Sequence, residues 1–295
     1  MKNIKRLASL VVVMLALSSC NSYENTNNVT LGVTTNTSKY GLSIDYKEGF
    51  RILWLTDLHF GDPYNTAVYN ETTQYEHLKM MIDEANNPDL IVLTGDTFDE
   101  ATTEQVDTFI TFIDSFKIKR IFTYGNHDPS NKIEDPYYIN SKIMAANYSV
   151  FVDYKDDDIE GLANYYVNVK KDNKTLYRFY IIDSNSNKEL GNLGDSVYDV
   201  IHLNQLEHIK NININEGDNA PGFAFYHIPV KEYVNAYEAH LDNPNKYKAS
   251  GEMRDNAGYG YMNNGAYACM KENGIIGSFV GHSYRNDIDI DYFDD

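Results

Sequence analysis

The chain has 295 residues, 42% of them apolar, with a formal net charge of -18 and two cysteines. An acid excess of this size repels nucleic acid and anionic lipid headgroups, which excludes a polyanion-binding role or a membrane attachment built on a basic patch. With Cys20 and Cys269 as the only cysteines, stability has to come from a core, and the length is sufficient to build one.

Residues 1–19 read as a secretory leader. Lys2, Lys5 and Arg6 precede an apolar stretch from Leu7 to Leu17, too short to span a bilayer, and small residues follow it. The end of this segment, "LSSC", resembles the lipobox of bacterial lipoproteins, which implies that Cys20 becomes the acylated first residue of the mature protein. Ordinary cleavage that leaves a spare thiol is the alternative. Removing the leader takes away its three cations and no acid, so the charge becomes -21. Attachment to a membrane then rests on the lipid at Cys20, and the protein lies outside the cytoplasm. Residues 20–39, rich in Asn, Thr and Ser, have too few apolar side chains to pack and read as a flexible tether.

From Tyr40 to residue 295 the chain reads as one domain without internal repeats. Apolar runs of strand length alternate with segments of helical period, the signature of an α/β fold. Strands are predicted over 50–56, 89–94, 120–124, 148–154, 164–170, 176–183, 223–228 and 275–281. Helices are predicted over 73–86, 103–117, 137–146, 203–211, 230–239 and 260–273. No helix separates 164–170 from 176–183, so these two should form an antiparallel hairpin around "KDNK".

The polar chemistry collects where the apolar runs stop. The first run ends "LTDLHF", the second "LTGDTFDE" and the third "TYGNHDP". Asp and Asn routinely cap the helix after a strand, and each end taken alone fits that role. Three successive ends that supply Asp57, His59, Asp96, Asn126, His127 and Asp128 are hard to assign to capping. Two later runs end in "FYHIP", with His227, and "GSFVGHSY", with His282. An open α/β sheet puts its binding crevice at such ends, and carboxylate, imidazole and amide oxygen together suit borderline metals such as Zn, Mn or Fe. His77, His202, His208 and His240 sit in helical or helix-flanking polar context and read as solvated or capping residues.

The ordered series "DLH" (57–59), "GDTFD" (95–99), "GNHD" (125–128), His227 and "GHSY" (281–284) resembles the calcineurin-like metallophosphoesterases, which include the purple acid phosphatases. The resemblance covers about residues 50–287. It implies two β-sheets packed as a sandwich and flanked by helices, a four-layer α/β/β/α arrangement with two metal ions at the strand ends. It assigns Asp57, His59 and a bridging Asp96 to the first ion, and Asp96, Asn126, His227 and His282 to the second. The ions would be divalent or mixed-valence, drawn from Fe, Mn or Zn, and a hydroxide between them would attack a phosphate ester. His127 would protonate the leaving oxygen or stabilise the transition state, with Asp128 orienting it.

This sequence departs from the pattern at Tyr284. The family usually has a second histidine there, the fourth protein ligand of the first ion. A neutral phenol is a poor ligand, with a free pKa of about 10. Three readings follow: a weakened but occupied first site, phenolate ligation of ferric iron, and a degenerate site. Eight residues follow Asp287, and Ile288, Ile290 and Tyr292 alternate with acids as in a short edge strand guarded by charge. Two functions of different class therefore stand, a lipid-anchored phosphoesterase and a surface binding protein with little or no turnover. The substrate is not readable, and Arg254 and Arg285, the cations considered for a phosphate, are read as solvated surface.

Overall fold

A computed structural model of the chain describes residues 11–14, 38–62, 70–129, 131–153, 158–189 and 196–291. One sheet contains β1 (Val11–Met14), β3 (Arg51–Leu55), β4 (Leu90–Thr94) and β5 (Lys119–Thr123), in that order across the sheet. The strands β3, β4 and β5 run parallel, and β4, central and covered on both faces, is buried at all five positions. Parallel strands of this kind read as unbroken apolar runs, which is why "LIVLT" stood out. The connections are α1 (Glu71–Glu84) and α2 (Thr103–Asp114). Asn70 caps α1 by accepting from the Thr73 amide, and Thr102 and Gln105 form a reciprocal capping box on α2. At the edge, β1 lies antiparallel to β3, so four residues of the predicted leader pair with the sheet in the full-length chain.

The second sheet has the order β12 (Ile275–Phe279), β10 (Gly222–Phe225), β7 (Lys174–Ile181), β6 (Tyr165–Lys171), β2 (Gly41–Asp45). The hairpin expected at "KDNK" joins β6 to β7, and Asp172 and Asn173 hold φ of 50° and 63°. Positive φ at both turn residues is the type I′ geometry that suits the twist of a two-residue hairpin. Helices α3 (Tyr138–Ala145), α4 (Leu203–Glu216), α5 (Glu232–Asp242) and α6 (Ala266–Glu272) complete the flanks. The two sheets face each other across one continuous core. Tyr165 of β6 donates its hydroxyl to the Phe122 carbonyl of β5 at 2.9 Å, and Trp54 of β3 meets Phe279 of β12 edge to face. The expected two-sheet α/β fold flanked by helices is the fold found.

Two predicted elements differ. Residues 148–153 form no strand; only Ser149 bridges to Arg120, and residue 154 is outside the described set. The helix predicted over 260–273 begins only at Ala266, because Gly260 packs against Asp199 and Val200 and Gly265 takes a left-handed φ of 83°. Two small pairs were not foreseen as such, β8 (Asn187–Glu189) with β9 (Ser196–Tyr198), and β11 (Ala249–Glu252) with β13 (Asp287–Ile290). The second of these is the charge-guarded strand expected after Asp287; Tyr292 is outside the described residues, as is Cys20.

Where α4 ends against the second sheet, Arg178 is fully buried. Its Nε donates to Asn168 at 2.8 Å, and its Nη2 donates to Asp218 at 2.9 Å and Glu216 at 3.1 Å. Arg178→Met should cost about 3 kcal/mol, the low end for breaking a buried pair because both carboxylates keep some solvent. A shift of less than about 1 kcal/mol in urea unfolding would mean that the network is neutral.

Candidate metal centre

Both sheets deliver side chains to one crevice, at the C-terminal ends of β3, β4, β5, β10 and β12. The chain turns sharply as each strand stops. Asp57, His59, Asp96 and His282 take φ of 54°, 51°, 48° and 74°. Asp, Asn and His tolerate the left-handed region best among residues with a side chain, yet each such residue still costs stability and tends to mark a site. The turns interlock through the backbone: the Asp57 amide donates to the Gly95 carbonyl at 3.1 Å and the His59 amide to the Asp96 carbonyl at 2.9 Å. Glycine is required at two of these approaches. A Cβ on Gly95 would lie 2.7 Å from the His227 ring, and one on Gly281 would run into Thr56 and Asp57.

Hydrogen bonds on the outer side of each group aim the inner atom at a common point. Asp57 Oδ2 accepts from the Thr56 hydroxyl at 2.8 Å and the His282 amide at 3.0 Å, which leaves Oδ1 facing inward. Asp96 Oδ1 accepts from the His127 amide at 2.8 Å, which leaves Oδ2. That oxygen lies 3.0 Å from His227 Nε2 and 3.7 Å from His59 Nε2. His227 Nδ1 lies 2.9 Å from the Thr94 carbonyl, to which it donates, so Nε2 is the nitrogen turned to Asp96 and the one that a cation would engage in place of a proton. Asp57 Oδ1 and Asn126 Oδ1 are buried without a hydrogen-bond partner. Groups in that condition fit cation ligands, since a native core rarely leaves them orphaned. Three groups close enough to hold a cation result: Asp57 with His59 and Asp96, Asp96 with His227 and His282, and, further out, His59 with Asp99 and His127; Asp96 belongs to the first two.

The local field matches this use. Burial opposes a charge on His227, but the carboxylates of Asp96 and Asp57 outweigh it and raise its pKa to about 9. His59 is raised to about 9 in the same way, against burial, by Asp57, Asp96 and Asp99. His282 goes the other way, to about 4, through burial and then the charge of His227. A pocket that holds imidazolium so firmly is one in which a cation is favoured.

Beside these groups, His127 has a half-exposed side chain. Its Nδ1 is 3.2 Å from Asp99 Oδ1, while the other oxygen of Asp99 is 3.2 Å from His59 Nδ1. One carboxylate therefore holds both imidazoles and turns their Nε2 atoms away from it. Asp99 is a site residue that the ligand pattern does not single out; its place three residues after Asp96 in "GDTFD" is the signal for it. Asp128 does not orient His127. It is fully buried, and its oxygens accept from the amides of Asp96 at 2.8 Å, Gly125 at 2.6 Å and Phe98 at 2.8 Å, tying the second and third turns together. Ser184 and Ser186 were also unforeseen. Ser184 Oγ accepts from the Ile228 amide at 2.8 Å, and Ser186 Oγ donates to the Asn126 carbonyl at 3.1 Å.

The sequence of these turns matches the family model for calcineurin-like phosphoesterases over residues 50–286. The chain belongs to the calcineurin-like phosphoesterase family. Among curated proteins it is similar to "Probable inactive purple acid phosphatase 29" of Arabidopsis thaliana, at 26% identity over 81% of this chain and 67% of that protein. It is also similar to "Probable inactive purple acid phosphatase 28" of the same plant, at 24% identity over 95% of this chain and 76% of that one. Among solved structures, a dimetal phosphatase from Danio rerio aligns at 14% identity over 79% of this chain and 81% of that one, with a TM-score of 0.49.

Against the family pattern, Tyr284 is the clear exception. Its side chain is 68% exposed, on the turn that follows His282. An exposed phenol fits the reading of a weakened or degenerate first site better than the reading of a phenolate ligand. Tyr284→Ala should leave metal content and any turnover within about twofold of the parent, as for a surface substitution. A change in metal stoichiometry would mean that the phenol reaches inward. Arg254 and Arg285 are exposed and paired with Glu252 and Asp255, in keeping with a solvated role. His208, read as solvated, is instead buried edge-on against Tyr40.

Proposed function

We propose that this family member is a metal-dependent phosphoesterase that hydrolyses phosphate mono- or diesters at a centre for two ions. The observation that carries the reading is the shared Asp96 oxygen between two ligand groups, with the half-exposed His127 beside them. Bound there, divalent or mixed-valence ions of Fe, Mn or Zn supply an activated water and offset charge on the phosphoryl oxygens. The chain's own part is to fix geometry and move a proton. Asp57, His59, Asp96, Asn126, His227 and His282 are the ligands. Asp99 holds His127 by Nδ1, so that Nε2 can give a proton to the leaving oxygen. Asp128 keeps the turns of Asp96 and Asn126 in register. A panel of aryl mono- and diesters assayed with each metal tests this: turnover should disappear on chelation and return with metal. Absence of turnover with all three metals would sink the hydrolase reading.

One observation favours a second reading, a binding protein with a degenerate site and little or no activity. With Tyr284 turned to solvent, the first group has Asp57, His59 and Asp96 alone. The names of both plant relatives include the word inactive. Metal content separates the readings: two ions per chain support the enzyme, and zero or one supports the binder.

For location, we propose a lipid anchor at Cys20 on the outer side of a bacterial membrane, from the "LSSC" segment. Among the described residues no helix is long and apolar enough to cross a membrane. Cys20→Ser should release the protein from the membrane fraction or leave its precursor uncleaved. Unaltered fractionation and migration would rule the anchor out.

A further inference from the structure

The last ligand is held by a part of the chain with no assigned role. The β8–β9 pair and the segment 257–261 both lie on His282. The Tyr198 ring meets the His282 ring edge to face, with centroids 4.2 Å apart and planes at 85°. Where the two rings meet, a Cβ at Gly258 would lie 2.8 Å from His282 Nε2 and 3.0 Å from the Tyr198 ring, so backbone alone fits there. The Gly258 amide donates to Ser283 Oγ at 3.1 Å, beside the ligand. The two arms are tied to each other: the Tyr261 amide donates to the Tyr198 carbonyl at 2.9 Å, and Gly260 packs on Asp199. The base of the first arm reaches the opposite ligand, since Ser186 Oγ bonds the Asn126 carbonyl and the Asp199 amide donates to the Ser186 carbonyl at 2.8 Å.

From this closed circuit we infer that Tyr198 and Gly258 are positioning residues that clamp the His282 ring, and that through it they set the affinity of one of the two ions. The inference rests on the two-ion reading of the site. The clamp touches His282 and, through Ser186, Asn126. Its contacts fall on the His282 ring, Ser283 and the Asn126 carbonyl, and Asp57 is reached only through the His282 amide, so the effect should fall mainly on the ion of the Asp96, His227 and His282 group. A ligating histidine left free to rotate loses affinity through the ordering it must regain on binding.

The test is a manganese titration of the full chain, with free Mn(II) counted by electron paramagnetic resonance, alongside thermal unfolding in chelator. The parent should take two ions. Tyr198→Ala and Gly258→Ala should weaken one of them about 10–100-fold and leave the other in place, the usual size for losing an outer-shell support. Tyr198→Phe keeps the ring and should bind as the parent does. Unfolding in chelator should be nearly unchanged for Tyr198→Ala, since a residue that only supports the fold would move it. Both ions bound as in the parent by Tyr198→Ala and Gly258→Ala would overturn the clamp while the metal centre stands. Equal weakening of both ions with a large loss of stability would also overturn it. A parent that takes no ion would sink the metal centre and the clamp together.

Discussion

Asp96→Asn should abolish retention of both ions and, with them, turnover. The expectation follows from how the two oxygens of Asp96 are used. Oδ1 accepts from the His127 amide, and Oδ2 is the atom that faces His227 and His59. An amide cannot reproduce both contacts. If its oxygen keeps the His127 amide, its NH₂ points into the ligand groups as a donor; if it is flipped, two donors meet at the backbone. Either way the shared negative charge is lost. Removing an outer-shell support typically costs 10–100-fold in metal affinity, so the loss of a shared ligand should exceed about 100-fold. Elemental analysis after desalting is the measurement, with circular dichroism as the check on folding. A folded Asp96→Asn that retains two ions would show that this carboxylate does not bridge them.

The chain's legibility has a physical boundary. Strand β4 was readable because a parallel strand covered on both faces must be apolar throughout; β3, β5, β10 and β12, each partly exposed, keep enough apolar length that the abrupt change to Asp, His or Asn marks where they leave the sheet. The strand β2 was not read, since "GLSID" lies at a sheet edge and carries Ser43 and Asp45 within its five residues. The run at 148–154 has strand composition, but over its described residues, 148–153, the one bridge is at Ser149. Within the site, residue type was readable and direction was not. Asp99 and Asp128 have the same chemistry, and only the path of the turns decides that the first meets His127 while the second is enclosed by three amides. Tyr284 is the same lesson in reverse: spacing placed it beside His282, and the turn carried its ring out to solvent. Ser184 and Ser186 had no signal at all, because a short polar run after a strand looks the same whether it supports a ligand or covers a sheet end.

His127→Ala should leave both ions bound and lower turnover by about 10² to 10⁴, the span expected when a positioned proton donor is removed. Its backbone, not its ring, is what the ligand shell uses: the amide bonds Asp96 Oδ1, and alanine keeps that amide. The ring stands outside the two groups that share Asp96, though it forms a third with His59 and Asp99; Asp99 holds it from behind at 3.2 Å, and it is half open to solvent, as a donor to an incoming ester must be. Asp99→Asn supplies the companion result. Asparagine has one acceptor oxygen for two imidazoles, so it can hold His127 or His59 in the present tautomer but not both. It should therefore lower turnover and also weaken the ion of the Asp57, His59 and Asp96 group about 10–100-fold, where His127→Ala lowers turnover alone. Substrates with better leaving groups should suffer less from His127→Ala, because they need less help from a proton. A His127→Ala protein that loses metal would make the ring a ligand, and one that turns over every ester at the parent rate would remove it from the chemistry.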